Sequence, residues 1–158
     1  MKIVDLDGYG LNPGDLSWAG FEKLGDFTLY ERTSTDDQLI LQRIGDAQVV
    51  LTNKTPLDRQ VIEAAPNLKY IGVLATGFNV VDIAAAKEKK ISVTNIPSYS
   101  TNEVAQHTFA LLLEITNQVG LHVTAVRNGE WTNAKDFTFW KKPLISLTDK
   151  TFALVGFG

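Results

Sequence analysis

Leu74-Ala75-Thr76-Gly77-Phe78-Asn79-Val80-Val81-Asp82 is the stretch whose residue types and spacing carry the most chemistry. A compact apolar run, Tyr70-Ile71-Gly72-Val73-Leu74, precedes it and predicts a buried strand. A helical pattern from Asp82 to Lys89 follows. Gly77 is free to adopt φ > 0 and has no side chain to keep another molecule from the main chain. Asn79 is expected to cap the next helix, its side chain accepting from an orphan N–H. A strand-loop-helix turn of this kind aims N–H donors and the positive end of a helix dipole at one spot, which suits a small anion such as a carboxylate. The same pattern also suits a tight turn that only reverses the chain, and both meanings stand at this point.

The second chemistry-bearing spacing is at the other end. Lys150-Thr151-Phe152-Ala153-Leu154-Val155-Gly156-Phe157-Gly158 reads as a strand running into Gly-x-Gly. A dinucleotide fingerprint needs a third glycine, a helix behind it and an acid about 20 residues on, so the two glycines alone are a weak signal. Their position, as the opening of a new domain, predicts that the chain is the amino-terminal half of a longer protein. His107 and His122 fall on a long helical pattern and read as packing or surface residues.

Composition removes other chemistries. The 158 residues have room for one domain, or one small domain and part of another. Apolar content of 44% and charged content of 21% suit a soluble globular chain. A net charge of −3 without a Lys/Arg cluster argues against a nucleic-acid partner. With no cysteine there is no disulfide and no thiolate metal site, and no metal is expected; a cytoplasmic setting is permitted. No apolar run approaches the ~20 residues that span a bilayer, and the chain enters its first strand without a signal-peptide pattern.

The elements that position these residues alternate. Strands are expected at Lys2 to Leu6, Phe27 to Tyr30, Gln48 to Thr52, Tyr70 to Leu74 and Ile91 to Thr94. Helices are expected around Leu16, Ala19, Phe21 and Leu24; around Leu39, Ile40 and Ile44 with Thr35 as cap; and from near Pro56 through Val61 and Ala65. That recurrence predicts βα units, and so an α/β fold with a flavodoxin-like or Rossmann-like parallel sheet and helices on both faces. The crevice of such a sheet lies at the carboxyl ends of its strands, where Ala75 to Gly77 and Thr52-Asn53-Lys54 both fall.

Pro97 and its polar neighbours end the alternation and place a domain boundary near residue 98, giving domains 1–98 and 99–158. Thr101-Asn102-Glu103-Val104 resembles a helix start. Val104, Thr108, Leu111, Ile115, Val119, Val123 and Val126 then form one stripe. The pattern predicts a single bridging helix of about 26 residues, roughly 39 Å long, with its first half buried all round. After Gly129, the cluster Trp131, Phe137, Phe139 and Trp140 suits a lid, a partner surface or core packing.

These residues together resemble the D-isomer-specific 2-hydroxyacid dehydrogenases. The resemblance is carried by Ala75 to Asp82, Asn95-Ile96-Pro97, Val104-Ala105-Gln106 and the following leucines, Arg127-Asn128-Gly129-Glu130-Trp131 and Leu154-Val155-Gly156-Phe157-Gly158. Asp7-Gly8-Tyr9, Asn12 to Trp18, Thr52 to Leu57 and Gly72 to Gly77 look most like the family's glycerate dehydrogenase (hydroxypyruvate reductase) branch. Gln106 departs from the glutamate common there. The resemblance implies a small 2-keto or 2-hydroxy acid as substrate and NAD or NADP as cofactor. It implies a substrate carboxylate held by main-chain donors at Ala75, Thr76 and Gly77, with Thr76 also near the cofactor, Val104 packing near the nicotinamide, and Gly156 and Gly158 opening the pyrophosphate loop. Lys54 either faces the cleft or is a solvated surface lysine. The family's arginine, acidic residue and histidine match no position here, so no catalytic residue is assigned and the 158-residue chain alone is expected to be inactive. A homodimer through the cofactor domain is implied. The alternative is a non-enzymatic, NAD(H)-sensing corepressor-like protein on the same scaffold.

Overall fold

The computed structural model describes residues 1–156, so Gly158 of the expected cofactor loop lies outside the described residues. The chain divides into two compact units, Met1–Tyr99 and Ser100–Gly158.

In the first unit, β1 (Lys2–Asp5), β2 (Asp26–Leu29), β3 (Val49–Thr52), β4 (Tyr70–Val73) and β5 (Ser92–Thr94) form one five-stranded sheet. Every pairing is parallel and the order is β2-β1-β3-β4-β5. The register sets Val4 beside Val50 and Val50 beside Ile71. The strands are connected by α1 (Ala19–Glu22), α2 (Asp37–Ile44), α3 (Arg59–Ala64) and α4 (Ile83–Glu88), with a 3-10 turn at Gly8–Gly10.

Period-2 alternation sorts the strand residues between faces. Val4, Leu6, Val50, Ile71 and Val73 join Ile40, Ile44, Val61, Ile62, Ala85 and Ala86 in the main core, all nearly or wholly buried. Burying each large aliphatic side chain favours the fold by roughly 1.5–3 kcal/mol relative to exposure. On the other face, Phe21 of α1 packs with Trp18 and Phe27, ring centroids 5.6–5.8 Å apart. The expected alternation and the parallel sheet are therefore observed.

The helix starts differ from expectation in a consistent way. Asp36, Asp58 and Asp82 cap α2, α3 and α4, each accepting from a first-turn N–H. Thr35 and Asn79 do not cap. A carboxylate at N-cap also meets the positive helix end, an advantage neither replaced residue has. Pro56 lies outside α3, and α1 is a single turn that leaves Leu16 and Leu24 exposed. Arg59 ties α3 to α4 through Glu88 (2.7 Å) and Asp82 (3.8 Å), holding Glu88 below the usual carboxylate range.

In the second unit, the expected single helix is two: α5 (Thr101–Asn117) and α6 (Val119–Arg127), bent by 59°. Gln118 between them is left-handed (φ 50°), and its N–H still donates to the Glu114 carbonyl at 2.8 Å. The Glu114 carboxylate then accepts from Gly120 N–H at 3.1 Å, satisfying an orphan donor at the start of α6. The apolar stripe continues across the break, which hid it from periodicity. Val104, Phe109, Leu111 and Ile115 are exposed rather than buried all round, and Ser100, the N-cap of α5, makes no side-chain cap bond.

Beyond α6 the aromatic cluster is only partly packed. Trp131 Nε1 donates to the Phe137 carbonyl, and Phe139 lies between the rings of Trp131 and His122, but Trp131, Phe137 and Trp140 are exposed. His122 accepts from the Lys141 main chain, a structural task. Residues 151–155 form no strand, so the expected opening strand of a nucleotide domain is not seen among the described residues. No single helix among them is long and apolar enough to cross a membrane.

One buried charge stands out. Asp5, fully buried at the end of β1, lies under Gly8 on the face of Trp18 and Leu29. Its Oδ1 accepts from the Asp7 N–H at 3.0 Å, and its Oδ2 has no partner. Burial raises its pKa to about 6, opposed by the Asp7 N–H and assisted by the Asp7 charge. Below the ordinary carboxylate value both folded and unfolded chains are protonated and the residue costs nothing. Above 6 the fold must hold an anion, so stability falls as pH rises through that window, by roughly 2–3 kcal/mol. Asp5→Asn is therefore expected to gain about 2 kcal/mol on wild type between pH 4.5 and pH 7.5 in urea unfolding. A gap that stays constant with pH contradicts this.

Candidate functional site

The carboxyl ends of β1, β3 and β4 stand side by side, and each ends in main-chain groups that need partners. A 2-1-3-4-5 sheet reverses its order between β1 and β3, and ligands of such sheets sit in the crevice there. Here that crevice is filled from within. Asp7 follows β1, and its carboxylate accepts from three consecutive N–H groups of the turn after β3: Asn53 (2.7 Å), Lys54 (2.5 Å) and Thr55 (2.7 Å). Successive amides converging on one anion form a nest. Beneath it the Thr52 hydroxyl donates to the Thr55 carbonyl at 2.7 Å, and the buried Thr55 hydroxyl has no partner.

One strand over, the turn after β4 is arranged the opposite way. Its carbonyls are tied: Ala75 O accepts from Ile96 N–H (3.0 Å) and Thr76 O from Asn95 Nδ2 (2.8 Å). The Thr76 hydroxyl donates to the Ile96 carbonyl at 3.1 Å. Leu74 N–H donates to Thr52 O at 2.8 Å. Among the described residues, no acceptor takes the N–H groups of Ala75, Thr76, Gly77 and Phe78. Ala75 is buried, and Thr76, Gly77 and Phe78 are exposed. Fixed carbonyls with unclaimed amides make a donor surface that suits a carboxylate.

Gly77 does not use the left-handed conformation open to it; among the described residues the glycines with positive φ are Gly14, Gly45, Gly129 and Gly156. A Cβ at Gly77 would meet only the Asn79 side-chain oxygen, at 3.4 Å. The open space over its N–H, not backbone strain, distinguishes the position.

The two turns are joined. Leu57 N–H donates to Val80 O at 2.7 Å and Asp82 N–H to Leu57 O at 2.9 Å, an isolated parallel bridge between Leu57 and Val81. Whatever fixes residues 53–57 therefore also fixes the far side of the 74–82 turn.

Lys54 is exposed on the turn beside this donor surface, and among the described residues its ammonium pairs with no carboxylate. Val104, in the first turn of α5, and Gly156, at φ 100° with open space around it, belong to the second unit. The expected residues thus fall into two sets, Lys54 with Ala75, Thr76 and Gly77 in the first unit, and Val104 with Gly156 in the second.

Two features escaped sequence reasoning. Asp7 was legible only as a turn residue; the available signal was an acid directly after the strand beside the order reversal. An apolar cleft of about 400 Å³, lined by Leu11, Trp18, Phe21, Leu74, Ile96 and Tyr99, backs onto the donor turn. Its residues come from four separate segments and share no local pattern.

Comparison with known proteins agrees with this architecture. Residues 9–153 match the family described as D-isomer specific 2-hydroxyacid dehydrogenase, catalytic domain. The chain is 54% identical over its whole length to a hydroxypyruvate reductase of Blautia hydrogenotrophica, covering 49% of that protein. It is 32% identical over 99% of its length to a glycerate dehydrogenase of Methylorubrum extorquens, again covering 49%. Among solved structures it resembles an acyclic imino acid reductase in complex with NADPH and D-Arg, at 26% identity and a TM-score of 0.66, over 82% of this chain and 41% of that one. The chain spans about half the length of the curated relatives it matches. With a family match over residues 9–153, nearly its full length, the chain belongs to the D-isomer specific 2-hydroxyacid dehydrogenase family.

Proposed function

We propose that this chain is the substrate-binding half of a nicotinamide-dependent D-2-hydroxyacid dehydrogenase that interconverts hydroxypyruvate and glycerate, working in the cytoplasm as a homodimer joined through its cofactor domain. The observation that carries the proposal is the row of unclaimed amides at Ala75, Thr76 and Gly77, fixed from behind by Asn95 and Ile96. The naming of the two relatives above supports hydroxypyruvate and glycerate as the substrate pair. The NADPH-bound imino acid reductase supports a nicotinamide cofactor, NAD or NADP.

In this reading residues 1–98 form the substrate domain, and 99–158 the connection to, and start of, the nucleotide domain. The amides grip the substrate carboxylate and orient the carbon next to it, and Lys54 adds positive potential at the same rim. Thr76, Val104, Gly156 and Gly158 are the residues that this reading assigns to cofactor binding. The left-handed φ of Gly156 fits a glycine turn of the kind that pyrophosphate loops require. The cofactor supplies the hydride; this chain's own residues hold and orient the acid. The groups that polarise the keto oxygen and move the proton are the family's arginine and histidine-carboxylate pair, which match no residue here.

Replacing Gly77 by valine tests the carboxylate grip. The backbone there tolerates a side chain and the space is open, so the variant is expected to fold while blocking approach to the amides. KM for hydroxypyruvate in the full-length protein should rise about 10- to 100-fold, the value of one hydrogen bond to a charged group. An unchanged KM removes the turn from the site.

NADH oxidation by the full-length protein with hydroxypyruvate tests the activity itself. Turnover is expected there, and none from the 158-residue chain alone. NADH binding without turnover on a broad panel of keto acids contradicts the enzymatic reading and favours the sensing one.

A further inference from the structure

We infer that Asp7 acts as a built-in anion: it occupies the crevice between β1 and β3 and thereby positions the neighbouring substrate turn. The inference rests on reading Ala75 to Gly77 as the carboxylate site and names a residue that serves it from outside. The crevice at the order reversal is where a ligand would ordinarily enter a sheet of this order. The nest there offers three converging N–H donors, and the Asp7 carboxylate takes all three.

Two consequences follow from that geometry. First, the nest cannot compete for the substrate's carboxylate, because its donors are already bonded to a tethered one. The free donors are displaced to the β4 turn. Second, the clamp holds the main chain of Asn53, Lys54 and Thr55, and this segment continues to Leu57, whose bridge to Val81 fixes the far side of the 74–82 turn. Asp7 is itself anchored, since its N–H donates to Asp5 at 3.0 Å. A chain of main-chain bonds therefore runs from β1 through Asp7 to both turns. Asp7 touches neither the proposed substrate amides nor any reacting atom, so it is a positioning residue.

The test uses the full-length protein with Asp7→Ala and Asp7→Asn. The asparagine variant keeps the shape and one acceptor oxygen, and guards against loss of folding in the alanine variant. Amide hydrogen exchange should speed up about tenfold or more at residues 53–55 in both variants, with a smaller rise at 75–78. Added sodium formate should restore protection at 53–55 in Asp7→Ala by refilling the nest. KM for hydroxypyruvate should rise about tenfold while kcat and the KM for NADH stay within about threefold. Unchanged exchange at 53–55 overturns the inference. So does faster exchange at 53–55 with KM and the 75–78 amides unaltered, which would make Asp7 a structural tie only. If the unmutated protein turns over no keto acid, the proposed activity fails, and exchange at 75–78 alone then decides whether Asp7 positions that turn.

Discussion

A peptide N–H left at the carboxyl end of a buried parallel strand must find an acceptor, and this chain meets that demand in two opposite ways on adjacent strands. After β3 the surplus donors close on the Asp7 carboxylate. After β4 the carbonyls are tied by the β5 exit while the amides stay open. One turn is thus self-satisfied and the next is not. The Leu57–Val81 bridge makes them a single unit, so the closed turn serves as a rigid edge for the open one. Pre-arranged donors would need no reorganisation on binding the substrate acid proposed above.

The same corner of the sheet carries the cost. Asp5 is fully buried beneath the 3-10 turn with one oxygen unpartnered, and Thr55 contributes a second buried oxygen without a partner. Both lie next to the Asp7 clamp in sequence, at the strand ends that the clamp joins. The rest of the unit offsets these groups with an unbroken aliphatic core between the sheet and α2, α3 and α4. Unsatisfied polar atoms gathered at the edge proposed to bind substrate, in an otherwise well-packed sheet, are the pattern expected when local stability is given up for a site.

Much of this was legible from sequence. The five strands, their parallel arrangement and the Ala75 to Gly77 turn followed from apolar runs bounded by turn residues. What failed did so for identifiable reasons. Asn79 and Thr35 precede apolar periodicity as caps do, yet Asp82 and Asp36, three and one residues on, put a full charge at the helix end. The bridging helix read as continuous because a one-residue break at Gln118 leaves the apolar stripe nearly in phase, and only the Glu114 side chain reaching Gly120 records the bend. Of the two properties glycine brings to position 77, the structure uses the empty space and not the freedom to adopt φ > 0. The clamp made by Asp7 has only a weak signal, an acid directly after β1, because its partners lie 46 to 48 residues away and the bonds are to main chain, which has no side-chain signature.

We propose that the open amides after β4 receive the acid end of the substrate, and a crystal structure of the full-length protein with hydroxypyruvate or glycerate bound tests this. The carboxylate is expected within about 3 Å of the main-chain nitrogens around Thr76 and Gly77, with the Asp7 nest unchanged. A carboxylate seated in the β1/β3 crevice with Asp7 displaced, or one held away from both turns, would contradict it.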